Sequence, residues 1–104
     1  MSVNQQIESL IKENAIVLFM KGTASFPQCG FSGRAVQILK TCGVDPKAIK
    51  TVNVLDEPEI REAIKTFSNW PTIPQFYYKG EFIGGSDIML EMYESGEMHK
   101  LLAA

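Results

Sequence analysis

Ala15-Ile16-Val17-Leu18-Phe19-Met20, closed by Lys21-Gly22, is a continuous apolar run of strand length. It contains β-branched residues and shows no polar alternation, so it predicts a strand buried on both faces, at the centre of a sheet. Upstream, Ser2 and Gln5 stand at capping-box spacing, and Val3, Ile7, Leu10 and Ile11 follow at helical intervals. The first element is therefore a helix ending near Asn14. Downstream of the strand comes a Gly/Ser/Pro-containing loop, Gly22 to Gln28. Cys29 then opens a run with helical spacing, Phe31, Ala35, Ile38, Leu39 and Cys42, which Gly43 should stop as a favoured residue just past a helix end.

Lys50-Thr51-Val52-Asn53-Val54 alternates and predicts a second strand. A helical crossover joins it to the first, which normally makes the two parallel. Asp56 is expected to cap the next helix, with Pro58 in its first turn and Glu59 completing the box. Ile60, Ala63, Ile64 and Phe67 give that helix its apolar stripe. Asn69 to Pro74 breaks it. Gln75-Phe76-Tyr77-Tyr78, Lys79-Gly80 and Glu81-Phe82-Ile83 predict a hairpin with a tight turn. Gly84-Gly85 ends the hairpin. Ser86 is expected to cap a further helix, with Ile88 and Met92 turned inward, and Gly96 to stop it. A short helix, Glu97 to Leu102, closes the chain. The order α-β-α-β-α-β-β-α, with one more helix, predicts an α/β domain spanning residues 1–104: a mixed four-stranded sheet with helices on both faces.

The chemistry gathers at Pro27-Gln28-Cys29-Gly30-Phe31-Ser32. A thiol at a helix start faces unpaired backbone N–H groups and the positive end of the dipole, and both favour the thiolate, the reactive form. Lys21, eight positions back, can bring an ammonium to the same place. The alternative is that Cys29 is a small buried hydrophobe. A Cys-x-x-Cys pair could close a disulfide within one helical turn, but the fourth position here is Ser32. Cys42 stands thirteen residues on, roughly 20 Å along the same helix. Disulfide Cα atoms lie within about 7 Å of each other. Cys29 must therefore find its partner outside its own chain: a free thiol, a second protein or a metal centre.

Composition narrows the field. A net charge of -2 argues against nucleic acid or an anionic membrane as the main partner. No apolar run approaches the ~20 residues of a membrane span. The segment Met1 to Glu13 has neither the basic start nor the apolar centre of a secretion signal. Two cysteines with no feasible mutual bridge suggest a reducing compartment, most simply the cytoplasm.

Four motifs in order carry a resemblance over nearly the whole chain: Lys21-Gly22-Thr23, the Cys29 stretch just quoted, Trp70-Pro71-Thr72-Ile73-Pro74-Gln75, and Gly80-Glu81-Phe82-Ile83-Gly84-Gly85-Ser86-Asp87. The chain resembles the monothiol glutaredoxins of the Cys-Gly-Phe-Ser class, which have the thioredoxin fold. The resemblance implies sheet order 2-1-3-4 and a cis peptide before Pro74, beside the cysteine. It also implies a glutathione groove formed by Lys21, Cys29, Phe31, Arg61, Lys65, Ile73, Pro74, Gly85, Ser86 and Asp87.

The residue types suit that ligand, a thiol peptide with two carboxylates and one ammonium. Lys21 supplies a cation near the thiol. Arg61 and Lys65 stand at i, i+4 on one helix, where like charges repel slightly and an intervening anion would be stabilising. A solvated basic face, with Glu57 pairing to Arg61, is the other reading. A cis-proline turn leaves the Ile73 backbone to pair with an extended ligand. Gly84 and Gly85 allow close approach of a ligand to the backbone. The helix start at Ser86-Asp87 can bind a carboxylate on its N–H groups while Asp87 meets the ammonium; ordinary capping is compatible with this. Many family members carry Cys where this chain has Ser86, so a redox role for that thiol is absent here. Trp70 reads as a structural corner beside the site, Cys42 as packing, and His99 as the chain's one histidine, in the C-terminal segment.

Three functions stand open. The first is an iron–sulfur carrier: a [2Fe-2S] cluster needs four ligands, and Cys29 from each of two chains plus two glutathione thiols supply four. The family implies this homodimer, delivery to apo iron–sulfur proteins and pairing with a BolA-type protein. The second is a glutathione-dependent thiol–disulfide oxidoreductase working through Cys29. The third is a module that binds glutathionylated partners without turnover.

Overall fold

The structure, a computed structural model, describes residues 1–103. Its sheet has the order β2-β1-β3-β4. Strand β1 (Ile16–Met20) lies inside, parallel to β2 (Lys50–Asn53) and antiparallel to β3 (Gln75–Tyr78), which pairs antiparallel with β4 (Glu81–Gly84). This is the expected thioredoxin-like topology. The alternation of a strand explains why β1 is apolar throughout. Val17 and Phe19 join Ile7, Ile11, Ile60, Ile64 and Tyr77 on one face, under α1 (Val3–Glu13) and α3 (Pro58–Ser68). Leu18 and Met20 join Ala35, Leu39, Phe76 and Met89 on the other, under α2 (Gly30–Thr41) and α4 (Ser86–Ser95). A final helix, α5 (Glu97–Ala103), buries Met98 in the second cluster.

Local signals hold at several ends. Ser2 and Gln5 form the capping box. Gly43 and Gly96 take positive φ just past α2 and at the end of α4. Lys79 and Gly80 both have positive φ, the pattern of a type I′ hairpin turn.

Two caps differ from expectation. Helix α3 is preceded by Glu57, which makes no side-chain cap bond, and Asp56 instead accepts a 3.3 Å hydrogen bond from Asn53 Nδ2. Proline explains this: Pro58 favours the first helical position, and the residue before a proline is disfavoured from helical torsions, so Glu57 cannot open the helix. Helix α4 starts one residue earlier than Ser86 as a cap requires. Gly85 is the cap, without a side-chain bond, and Ser86 is already helical.

Phe31 also departs from the predicted core stripe. It is 60% exposed, and Ser32 takes a fully buried place on the inner face of α2. On α4 the fully buried side chain is Met89. Met92 packs partly buried against the core, while Ile88 lines the groove described next. No described helix is long and apolar enough to cross a membrane.

Candidate functional site

The loop Gly22–Gln28 presents Cys29. Its ends are tied by Gln28 N–H to the Lys21 carbonyl at 2.9 Å, and Thr23 N–H reaches the Phe26 carbonyl at 3.2 Å. Gly22 N–H donates to Asn53 Oδ1 at 2.9 Å, anchoring the loop to the end of β2. Gly22 has φ +90°, and a Cβ there would stand 2.5 Å from Gln28 N and Phe26 O. Only glycine meets both demands.

Cys29 is the N-cap residue of α2, extended and half-buried, and makes no cap bond of its own. Its thiol pKa is lowered. The backbone N–H of Ser32 is the leading cause; the Phe31 N–H, the Lys21 charge and the Ser32 hydroxyl add to it, against an opposing effect of burial. These are the helix-start donors and the cation expected from the sequence. Cys42, at the other end of α2, is also free, and burial pushes its thiol up.

A groove of about 390 Å³ runs past Cys29. Lys21, Arg61 and Lys65 bring cations to its lining, Phe31, Ile73 and Pro74 bring apolar surface, and Gly85, Ser86 and Asp87 line it at the start of α4. All ten residues expected in the site therefore meet in one groove, drawn from four separate parts of the chain. The Ile73–Pro74 peptide is cis. Gly85 is needed for close packing, since a Cβ there would lie 3.1 Å from Trp70 Nε1 and 3.2 Å from the Pro74 carbonyl.

The charges sort the wall. Glu57 does not pair with Arg61; the ion pair on α3 is Lys65–Glu62, at 3.7 Å. Among the described residues, Arg61 Nε and Trp70 Nε1 are buried donors without a hydrogen-bond partner. Donors in that state favour an incoming acceptor. Trp70 is thus part of the groove as well as a corner.

Two residues of the site escaped the sequence reading. Gln75 is fully buried, and its Nε2 donates to the carbonyls of Trp70 at 3.0 Å and Thr72 at 3.2 Å, fixing the loop that carries Ile73. Arg34 bonds Ser86 and Asp87 from α2. Gln75 closes the Trp70–Gln75 motif, but its residue type does not announce that it bonds that loop's carbonyls, and Arg34 carries no local signal because its partners lie on a distant helix.

The glutaredoxin family model matches residues 16–83. The chain is 56% identical over 98 residues to "Monothiol glutaredoxin-5, mitochondrial" of Schizosaccharomyces pombe, spanning 94% of this chain and 67% of the relative. The chain belongs to the monothiol glutaredoxin family. A second relative, "Glutaredoxin-related protein 5, mitochondrial" of Danio rerio, is 52% identical across 90% of this chain, which spans 59% of that protein's length. The solution structure of reduced poplar apo GrxS14 superposes with a TM-score of 0.84 at 42% identity, covering 98% of this chain and 91% of that one. In this glutaredoxin the monothiol character is visible directly: Ser32 occupies the place of a second cysteine and is buried under Lys21.

Proposed function

We propose that this glutaredoxin binds glutathione in the Cys29 groove and carries a [2Fe-2S] cluster between two copies of the chain. The observation that carries this reading is a lone half-buried thiol in a groove lined by Lys21, Arg61 and Lys65. Among the described residues, no group of three or more His, Cys, Asp or Glu could hold a metal ion. Cys29 can therefore supply one ligand of four, and the others must come from outside the chain. Glutathione would place its thiol beside Cys29, with one carboxylate toward Lys21, Arg61 and Lys65 and the other at the start of α4. The Ile73 backbone would pair with its peptide. Phe26, three residues before Cys29, is 74% exposed and Phe31, two after it, is 60% exposed, and they give a second copy apolar surface to cover.

In this reading the cluster is cargo, held partly by ligands that are not protein, and so it is exchangeable with apo iron–sulfur proteins. A BolA-type protein would replace one copy of the chain. The proposed compartment is the cytoplasm, supported by two free cysteines that cannot bridge. The S. pombe and D. rerio relatives are named as mitochondrial, and fractionation of the native protein separates the two locations.

The lowered thiol pKa of Cys29 favours a second reading, protein deglutathionylation. Cys29 thiolate would attack the glutathione sulfur of a mixed disulfide and release the protein thiolate. A second glutathione thiolate would attack that sulfur in turn, giving oxidised glutathione and restoring Cys29. Anaerobic reconstitution with iron, sulfide and glutathione tests the two readings. The carrier reading expects a coloured dimer with about two irons per pair, lost without glutathione and absent in Cys29→Ser. A colourless monomer that turns over a glutathione mixed disulfide would replace it with the oxidoreductase.

A further inference from the structure

Arg34 belongs to none of the family motifs quoted above, yet it organises one end of the groove. It projects from the second turn of α2 to the start of α4. Its Nε donates to Ser86 Oγ at 2.8 Å, and its Nη2 donates to Asp87 Oδ1 at 2.6 Å. The guanidinium carbon lies 5.6 Å from the Phe31 ring centroid, within cation–π range. Ser86, Asp87 and Phe31 all line the groove, while Arg34 stands behind them.

Two consequences follow from donor and acceptor counts. A guanidinium has no lone pair to accept a hydrogen bond. Ser86 Oγ, once it accepts from Arg34, must therefore turn its own proton away from that side, and the side chain borders the groove. Asp87 gives one oxygen to Arg34 and keeps Oδ2, on a side chain that is 88% exposed. Ser86 thus keeps a hydroxyl proton to donate and Asp87 keeps an oxygen to accept, on neighbouring groove residues held by one cation. Arg34 also offsets part of the Asp87 charge, so a bare ammonium is attracted less than it would be by Asp87 alone.

We propose that Arg34 is a positioning residue that makes the α4 end of the groove selective for a ligand terminus carrying both a carboxylate and an ammonium. The carboxylate accepts from the Ser86 hydroxyl and the backbone at the helix start, and the ammonium meets Asp87 Oδ2. This rests on the glutathione reading and adds to it which residue sets recognition of the γ-glutamyl end.

Calorimetric titration tests the proposal with two ligands, glutathione and 4-aminobutyryl-cysteinylglycine, which lacks only the γ-glutamyl α-carboxylate. Wild type should prefer glutathione by about tenfold, the size of one hydrogen bond to a charged group. Arg34→Gln should lower glutathione affinity several-fold and leave the analogue unchanged or bound more tightly, so that the preference narrows. Ser86→Ala should do the same, and adding Arg34→Gln to it should change the preference little, because both act through one hydroxyl. A purely structural role would weaken both ligands equally, and that result overturns the proposal. So does tighter glutathione binding by Arg34→Gln, which would make Arg34 a competitor for Asp87. If wild type binds neither ligand, the glutathione reading falls and takes this inference with it; binding with an unchanged preference overturns the inference alone.

Discussion

The Ser32 hydroxyl accepts a hydrogen bond from the backbone N–H of Lys21 at 3.0 Å. This joins the end of β1 to the first turn of α2, directly beneath Cys29. It also leaves the Ser32 proton for the thiolate, since the oxygen is already occupied as an acceptor from Lys21. The two residues that flank Cys29 in space thus act on it as one unit, through the Ser32 N–H and hydroxyl and the Lys21 charge.

Cys29 should alkylate at lower pH than Cys42. Its pKa is lowered and that of Cys42 is raised, so at intermediate pH the first is thiolate and the second thiol. Ser32→Ala and Lys21→Gln should each move the Cys29 profile to higher pH; Ser32→Ala keeps the leading backbone N–H and so should not abolish the shift. Iodoacetamide rates read by peptide mass check this, and equal profiles for the two cysteines would refute it. The same sign applies to stability. A thiol depressed in the folded state adds stability above its unfolded pKa, and the contribution fades as pH falls through the folded value. The stability difference between wild type and Cys29→Ser should therefore widen as pH rises.

Gln75→Leu should destabilise the fold by about 1–3 kcal/mol, because the Trp70 and Thr72 carbonyls lose the amide that holds them. Glutathione affinity should fall with it, since the same loop carries Ile73 and Pro74. Urea unfolding and calorimetry measure the two effects. Lost stability with full affinity would show that the loop keeps its shape without Gln75.

Gly85→Ala should cost about 1–3 kcal/mol through overpacking against Trp70 and the Pro74 carbonyl. The displaced wall narrows the groove, and glutathione affinity should drop by about tenfold or more. Gly22→Ala, strained by its positive φ and by backbone contacts at 2.5 Å, should lose stability as well, and it should alter Cys29 alkylation because it deforms the presenting loop. A Gly85→Ala variant that binds normally would place the ligand elsewhere.

Arg61→Gln should weaken glutathione by about tenfold, the value of a charge-assisted hydrogen bond. Lys65→Gln should cost less, about twofold to fivefold, because Lys65 already shares its charge with Glu62 at 3.7 Å. Raising salt from low to physiological strength should reduce affinity for wild type more than for Arg61→Gln. Equal losses for the two variants would mean that the Glu62 pair does not hold Lys65 back.

Much of this was legible locally. The unbroken apolar run at Ile16–Met20 marks the inner strand because both its faces are covered, and positive-φ sites at Gly43, Gly80 and Gly96 punctuate the elements. The Cys29 stretch announces a single helix-start thiol. Misreadings arose where neighbours in space outweigh neighbours in sequence. Asp56 lost its capping role to the geometry of Pro58. Phe31 fits the α2 spacing but lies outward beside the thiol, while the small polar Ser32 is buried because it bonds Lys21. Ser86 has the composition of a cap, yet its hydroxyl is taken by Arg34.

The sequence by itself determined the elements, their order, the lone thiol and, through four motifs, the family. Those properties depend on torsional preference, periodicity and residue chemistry within a few positions along the chain. Only the tertiary structure decided which charges are free and which are held. Arg61 keeps an unpartnered donor, Lys65 leans on Glu62, and Asp87 is held by Arg34 from fifty-three residues away. Pairing energies depend on distance and burial in space, and neither can be read from separation along the chain.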